Sequence, residues 1–217
     1  MDRINEIRLA GMLPRVFVNE NIPESDVWDE ELTLYRGNNY LIEAASGGGK
    51  SSMCAYVYGA RVDYEGELSF NGKDTRGFSI AEWQEIRRRH IAYLPQELDL
   101  FPELTAWENI QLKNTLTNHF GEKNIERMLD ELGIASRRDY PAGRMSIGQQ
   151  QRVAIIRSLC QPFDFILLDE PVSHLDEGNN RIVAGMIARE AERQGAAVIS
   201  TSVGNPLLLP NAKKLSL

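Results

Sequence analysis

The sequence predicts an α/β fold with a mainly parallel central sheet. Three observations predict it. Short apolar or β-branched runs alternate with helical stretches along most of the chain. One of those runs, Phe163–Leu168 (FDFILL), reads as an apolar run but for Asp164, as expected of a central strand covered on both faces. A glycine-rich turn, Gly47-Gly48-Gly49, lies between such a strand and a helix, the junction at which open α/β sheets hold ligands.

In chain order, Arg15–Asn19 and Leu32–Tyr35 have the composition of strands, separated by a polar loop with Pro23 and Asp26. Gly37-Asn38-Asn39 marks a turn, and Tyr40–Glu43 reads as a buried strand running into Ala44–Ser52. Met53–Tyr58 has helix-forming spacing. Gly66–Asn71 reads as a strand ending at the hairpin signal Asn71-Gly72. Ala81–Arg89 is charged and helical, and His90–Leu94 is a strand stopped by Pro95. From Phe101 to about Ile134 apolar positions recur at helical spacing, and Gly133 fits a helix end. Gln149–Leu159 is helical, Asn179–Arg193 is a helix ending at Gly195, Ala196–Ser200 is a further buried strand, and Ala212–Leu217 is a closing strand with no regulatory domain expected after it.

Composition narrows the function. The 217 residues suit one domain, and 42% of them are apolar, enough for a core. Net charge is −7, so the overall basic excess of a nucleic-acid binder is missing and nucleic acid is not expected as a partner. Cys54 and Cys160 form no CxxC pair and fit a reducing compartment at least as well as one disulfide; the three histidines are too scattered for a zinc site. The first twenty residues lack an apolar signal-peptide core, and no run reaches the roughly 18 apolar residues that span a bilayer.

Ala44-Ala45-Ser46-Gly47-Gly48-Gly49-Lys50-Ser51-Ser52 has the makings of a phosphate loop. Glycines let backbone N–H groups converge on phosphate oxygens, and the following helix N-terminus adds partial positive charge. Lys50 would bridge the outer phosphates of ATP and the Ser51 hydroxyl would ligate Mg²⁺. Ala44 stands where glycine usually opens the motif, and its methyl group, disfavouring positive φ, is expected to alter that turn slightly. The competing reading, a flexible turn before an exposed Lys-Ser, loses weight because a strand and a helix flank the loop.

Ile166-Leu167-Leu168-Asp169-Glu170-Pro171 places two acids at the C-terminal end of a buried strand. Asp169 would hold Mg²⁺ through its water shell, and Glu170 would orient or deprotonate the water attacking the γ-phosphate. Alone, the pair is as easily two acids solvating a strand end. The phosphate loop earlier in the chain turns the balance, because ATP chemistry needs both halves.

With these motifs in hand, the sequence resembles the ABC ATPase family over essentially its whole length. Met145-Ser146-Ile147-Gly148-Gln149-Gln150-Gln151-Arg152 is similar to the family's signature LSGGQQQR. Tyr93-Leu94-Pro95-Gln96 is similar to its Q-loop, and Ser173-His174-Leu175-Asp176 to its D-loop. The resemblance implies a P-loop NTPase fold with an N-terminal antiparallel β part and a helical signature subdomain at about 97–160. Residues 1–95 and 161–217 would form the core of this single domain.

It further implies a head-to-tail pair, with a second copy or a different ATPase subunit. Each ATP would lie between one P-loop and Ser146, Ile147, Gly148 and Gln149 of the mate, with Ser173, Leu175 and Asp176 in the D-loop. Gln96 would sense the γ-phosphate and Mg²⁺, and Phe17 is a candidate to stack on adenine, a buried strand phenylalanine being an equal alternative.

Two departures stand out. Ile147 replaces the first signature glycine, where the family tolerates variation. Ser202 falls where the family's switch histidine belongs, and no histidine follows His174. Slower hydrolysis with intact binding is therefore expected. The Phe101–Ile110 segment resembles the "LTALENV" stretch of lipoprotein-release, macrolide-export and cell-division type systems.

By resemblance the chain powers a membrane transporter from the cytoplasmic face of the cell membrane, partnered by integral-membrane permease subunits. An ATP-gated interaction subunit with weak turnover, or a soluble ABC protein acting on nucleic acid or ribosomes, are the alternatives.

Overall fold

The computed structural model of the protein describes residues 2–20 and 24–217. Two sheets organise it. A parallel five-stranded sheet has the order β6-β7-β8-β3-β9, with β3 Asn39–Glu43, β6 Ile91–Leu94, β7 Phe165–Leu168, β8 Ala197–Ser202 and β9 Lys213–Ser216. An antiparallel sheet, β2-β1-β4-β5, is built from β1 Glu6–Pro14, β2 Glu31–Tyr35, β4 Tyr64–Phe70 and β5 Lys73–Asp74. Helices α1 Lys50–Val57, α2 Ile80–Arg89, α3 Ala106–Asn114, α4 Glu122–Glu131, α5 Ile147–Leu159 and α6 Glu177–Gln194 connect them.

The parallel sheet lies between two apolar layers. Phe165 and Leu167 of β7 face one layer with α1 and the antiparallel strands, while Ile166 and Leu168 face the other with the four helices α3–α6. Alternate residues of one strand thus enter opposite layers, which is why Phe165–Leu168 carries no polar break before Asp169, although Asp164 interrupts the apolar run expected from Phe163. A buried polar clamp joins the two sheets at the end away from the site. Asp164 accepts from the Ile4 N–H (2.9 Å), pairs with the His90 ring (2.7 Å) and lies 3.2 Å from Arg36 Nε.

The strand expected at Arg15–Asn19 is not one. Arg15–Phe17 forms a single 3₁₀ turn, and the strand is β1, immediately before it. Pro14 ends the ladder because its ring fixes φ near −56° and removes the N–H donor. β1 escaped the sequence pattern because a bulge shifts its register between Ala10 and Leu13, so inward residues run Ile7, Leu9, then Met12. The stretch Phe101–Ile134 is likewise two helices, α3 and α4. Asn114 breaks the period by bonding its side chain to the N–H and C=O of Phe120. Pro23, expected in the polar loop, lies outside the described residues; Asp26, also expected there, accepts from the Ser216 N–H at 2.7 Å.

The bulge makes a testable demand. Gly66 (φ +80°) faces it so closely that a Cβ would lie 2.1 Å from the Gly11 carbonyl oxygen. Gly66→Ala is expected to cost about 3 kcal/mol in urea unfolding. Gly72→Ala, also at positive φ (+74°) but facing open space, should cost only about 1 kcal/mol. Equal midpoints for the two variants would refute the packing argument.

Candidate functional site

The site is assembled at the C-terminal edge of the parallel sheet, where β3 delivers the glycine loop and β7 delivers the acids. Parallel pairing of β3 with β8 sets Glu43 opposite Ser202, and the Ala44 N–H donates to the Ser202 carbonyl at 3.4 Å. Gly47 (φ +85°) and Gly49 (φ +94°) take left-handed backbone that L side chains rarely adopt. Ala44 is not among the residues with positive φ, in keeping with its methyl group.

Lys50 opens α1 and is 4% exposed. Its Nζ donates to the carbonyls of Ala44 (3.2 Å) and Ala45 (3.0 Å) and lies 3.7 Å from Glu170 Oε1. The ammonium therefore spans the mouth of the loop, held by weak partners that a stronger anion can displace. Ser51, Gln96 and Asp169 line one cavity of about 430 Å³ with Tyr93, Glu97 and Asp99. No trio of His, Cys, Asp or Glu among the described residues could hold a metal without other donors.

Asp169 is 1% exposed; its Oδ1 accepts from Thr201 Oγ1 at 2.7 Å, while the buried Oδ2 has no partner. A buried carboxylate oxygen without a donor is costly unless a cation or its water shell completes it. The negative field is felt nearby. Burial raises the Cys54 thiol well above its ordinary pKa and Asp169 raises it further; the Tyr93 phenol rises for the same reasons, with Cys54 adding to them. Glu170 takes a left-handed backbone, φ +50°, and its N–H donates to Thr201 Oγ1 at 3.1 Å. Strained backbone held by a second residue is the mark of a side chain aimed at a task.

Residues the sequence reading passed over support the site. Thr201 joins both acids to β8. Trp28 donates from Nε1 to the Gly48 carbonyl at 3.0 Å, and a Cβ on Gly49 would meet Trp28 at 2.9 Å and Phe17 at 3.2 Å. Phe17 is thus a half-buried residue of the 3₁₀ turn set against the loop, not a strand residue. The tryptophan indole, needing a partner for its N–H, was the one available signal.

Ser202 is 1% exposed, and its Oγ has no partner. Gln96 follows β6 and is exposed, while Arg157 of α5 fastens the turn beyond it through the carbonyls of Leu98 (2.5 Å) and Asp99 (2.6 Å). Both Leu98 and Asp99 have positive φ.

Ser146, Ile147, Gly148 and Gln149 begin α5 outside that cavity. Ser146 caps the helix, and Gln149 reaches back to its N–H at 3.1 Å. Ser146 and Ile147 are exposed, and Gly148 packs against the His174 carbonyl. Gln151, 1% exposed, binds the Glu170 carbonyl, the Ser173 hydroxyl and the His174 N–H, each at 3.3 Å. Leu175 is buried, and Asp176 caps α6 through the Asn179 N–H at 2.8 Å, which lowers its pKa. One chain thus brings together loop, acids, Gln96 and Ser202, and leaves Ser146–Gln149 on a separate exposed face.

Comparison with known proteins gives this geometry a context. The ABC transporter family matches residues 28–173. The macrolide export ATP-binding/permease protein MacB of Bdellovibrio bacteriovorus is 32% identical over 169 residues. This chain spans about a quarter of that relative's length, 26%, with 77% of its own. The cytochrome c biogenesis ATP-binding export protein CcmA of Pasteurella multocida is 31% identical, covering 76% of each chain. Among solved structures, the dimeric bacterial ABC transporter cassette MJ0796 superposes with a TM-score of 0.74 at 28% identity, over 90% of this chain and 87% of that one. A second dimeric MJ0796 structure, in a post-hydrolysis state with ADP and Pi, has the same TM-score at 25% identity, over 92% and 88%.

Proposed function

The chain belongs to the ABC transporter family, and from that premise we propose that it is the ATP-binding, ATP-hydrolysing subunit of a membrane transporter, closing on MgATP as a head-to-tail pair. The observation that supports this most is the free, buried Oδ2 of Asp169, with the neighbouring Glu170 carboxylate 3.7 Å from Lys50 at the end of the glycine loop.

Lys50 leaves its two carbonyl partners for the outer phosphates, and the loop amides and the α1 N-terminus take the remaining charge. Asp169 through Oδ2, with the Ser51 hydroxyl and Gln96, would hold Mg²⁺, which when bound neutralises charge on the transferred phosphate. Glu170, held in place through Thr201, orients the attacking water and accepts its proton. Phe17 and Trp28 both lie against Gly49, and Phe17 is the candidate to stack on adenine.

Ser146, the Gly148 amide and Gln149 of the mate complete the nucleotide's contacts, so ATP bridges two surfaces that are apart in the single chain. Binding to the pair alone shifts the equilibrium toward it. No described helix is long and apolar enough to cross a membrane; the membrane-spanning part of the transporter would dock near Gln96. The site would work at the cytoplasmic face of the membrane. Light scattering with a non-hydrolysed ATP analogue and Mg²⁺ is expected to show a dimer, and MgADP a monomer. A monomer under both conditions would remove the basis of this reading.

Ser202 favours slow turnover, the regime of an ATP-gated clamp. Its short, uncharged side chain forgoes one charge-assisted hydrogen bond. Ser202→His is expected to raise single-turnover phosphate release about tenfold, the worth of one such bond in a transition state. An unchanged rate would show that serine costs nothing.

A further inference from the structure

Three histidines occur in the chain, and two are committed elsewhere. His90 is buried in the clamp with Asp164, at the far end of β7, and His119 lies 3.0 Å from an Arg193 nitrogen beside α6. His174 is different. It is exposed, it stands in the turn that leaves Glu170, and its carbonyl packs on Gly148, so it shares the face that carries Ser146. It is absent from the wall of its own chain's cavity at Ser51 and Asp169.

The hydrogen bonds around it hold its ring. Gln151 Nε2 donates to Ser173 Oγ, which leaves the Ser173 hydroxyl proton free for His174 Nδ1, 3.0 Å away. In the tautomer in which the Ser173 hydroxyl donates to Nδ1, Nε2 carries the proton and is an N–H donor. Gln151 fixes the backbone as well, accepting from the His174 N–H while holding the Glu170 carbonyl. A donor so constrained beside the signature segment needs no reorganisation to meet an anion.

We propose that His174 acts in trans, its Nε2–H donating to the terminal phosphate held by the P-loop of the second chain and partly offsetting the bond that Ser202 forgoes. This rests on the reading that two copies close over shared nucleotide. Ser173 and Gln151 are positioning residues for it, since they hold the ring and the turn without touching phosphate.

The test is phosphate release by the full chain, with dimer formation on MgATP analogue measured alongside. His174→Ala is expected to lower the single-turnover rate about tenfold with dimer formation retained, and Ser202→His in the same chain to restore it. Mixing His174→Ala chains with Glu170→Gln chains separates trans from cis. In the mixed dimer the nucleotide on the His174→Ala chain keeps its own Glu170 and meets an intact His174 from the partner, so activity should exceed the mean of the two parents. A mixture no more active than that mean, or a His174→Ala rate within twofold of the parent, overturns the proposal while dimerisation stands. Absence of any nucleotide-driven dimer overturns both this and the function it rests on.

Discussion

Lys50→Ala is expected to weaken MgATP binding at least about a hundredfold. In the free protein the Lys50 ammonium is buried, satisfied by the carbonyls of Ala44 and Ala45 and by the nearby Glu170 carboxylate. Phosphate oxygens are stronger acceptors than those carbonyls, so binding gains from the exchange. Removing one partner of a desolvated charge pair typically costs about 2–5 kcal/mol, and each 1.4 kcal/mol is tenfold in Kd. Here the alanine chain also leaves Glu170 facing the phosphates without its counter-charge, which adds repulsion. Calorimetric titration with a slowly hydrolysed ATP analogue measures the loss. Urea unfolding of the unliganded variant serves as the control for a collapsed loop. A Kd within threefold of the parent, in a folded variant, would place the phosphates elsewhere.

The second large effect falls on chemistry and spares binding. Glu170→Gln is nearly isosteric and keeps the amide that Thr201 Oγ1 accepts from, so the φ +50° turn should persist. What disappears is the proton acceptor. General-base assistance contributes about 10²–10⁴ in rate, so single-turnover phosphate release should fall by at least about 10². Affinity for MgATP should hold or improve, because one negative charge near the γ-phosphate is gone, and the dimer should outlast gel filtration. Asp169→Asn is the contrasting variant. It blunts the oxygen that has no protein donor, and its effect should depend on Mg²⁺ concentration where that of Glu170→Gln does not. Turnover by Glu170→Gln within twofold of the parent would assign the base to another group.

Much of this was legible in the sequence because it is local. A strand, a glycine turn and Lys-Ser must be contiguous to form a phosphate loop, so Ala44–Ser52 could be read directly. The apolar run before Asp169-Glu170 announced a buried strand because parallel strands covered on both faces leave no polar alternation. The caps at Ser146 and Asp176 are likewise short-range bonds between neighbours. Where the reading failed, the pattern had been disturbed by one residue, as at the β1 bulge, or by a side chain replacing a backbone partner, as at Asn114.

What composition and spacing determined was an α/β chain, a phosphate loop and two acids on a strand end; the family resemblance added the expectation of a signature segment and of a serine at the switch position. Only the tertiary structure decided which of these meet. The register of β3 against β8 puts Ser202 beside Ala44, Thr201 reaches across from β8 to both acids, and Trp28 lies over Gly48–Gly49, all contacts between residues far apart in the chain. It also decided that Ser146–Gln149 and His174 lie together, outside the cavity that Ser51 and Asp169 border. The reason is that hydrogen bonds within a turn or helix follow from neighbouring residues, whereas strand order and the packing of separate elements follow from burying the whole apolar surface at once.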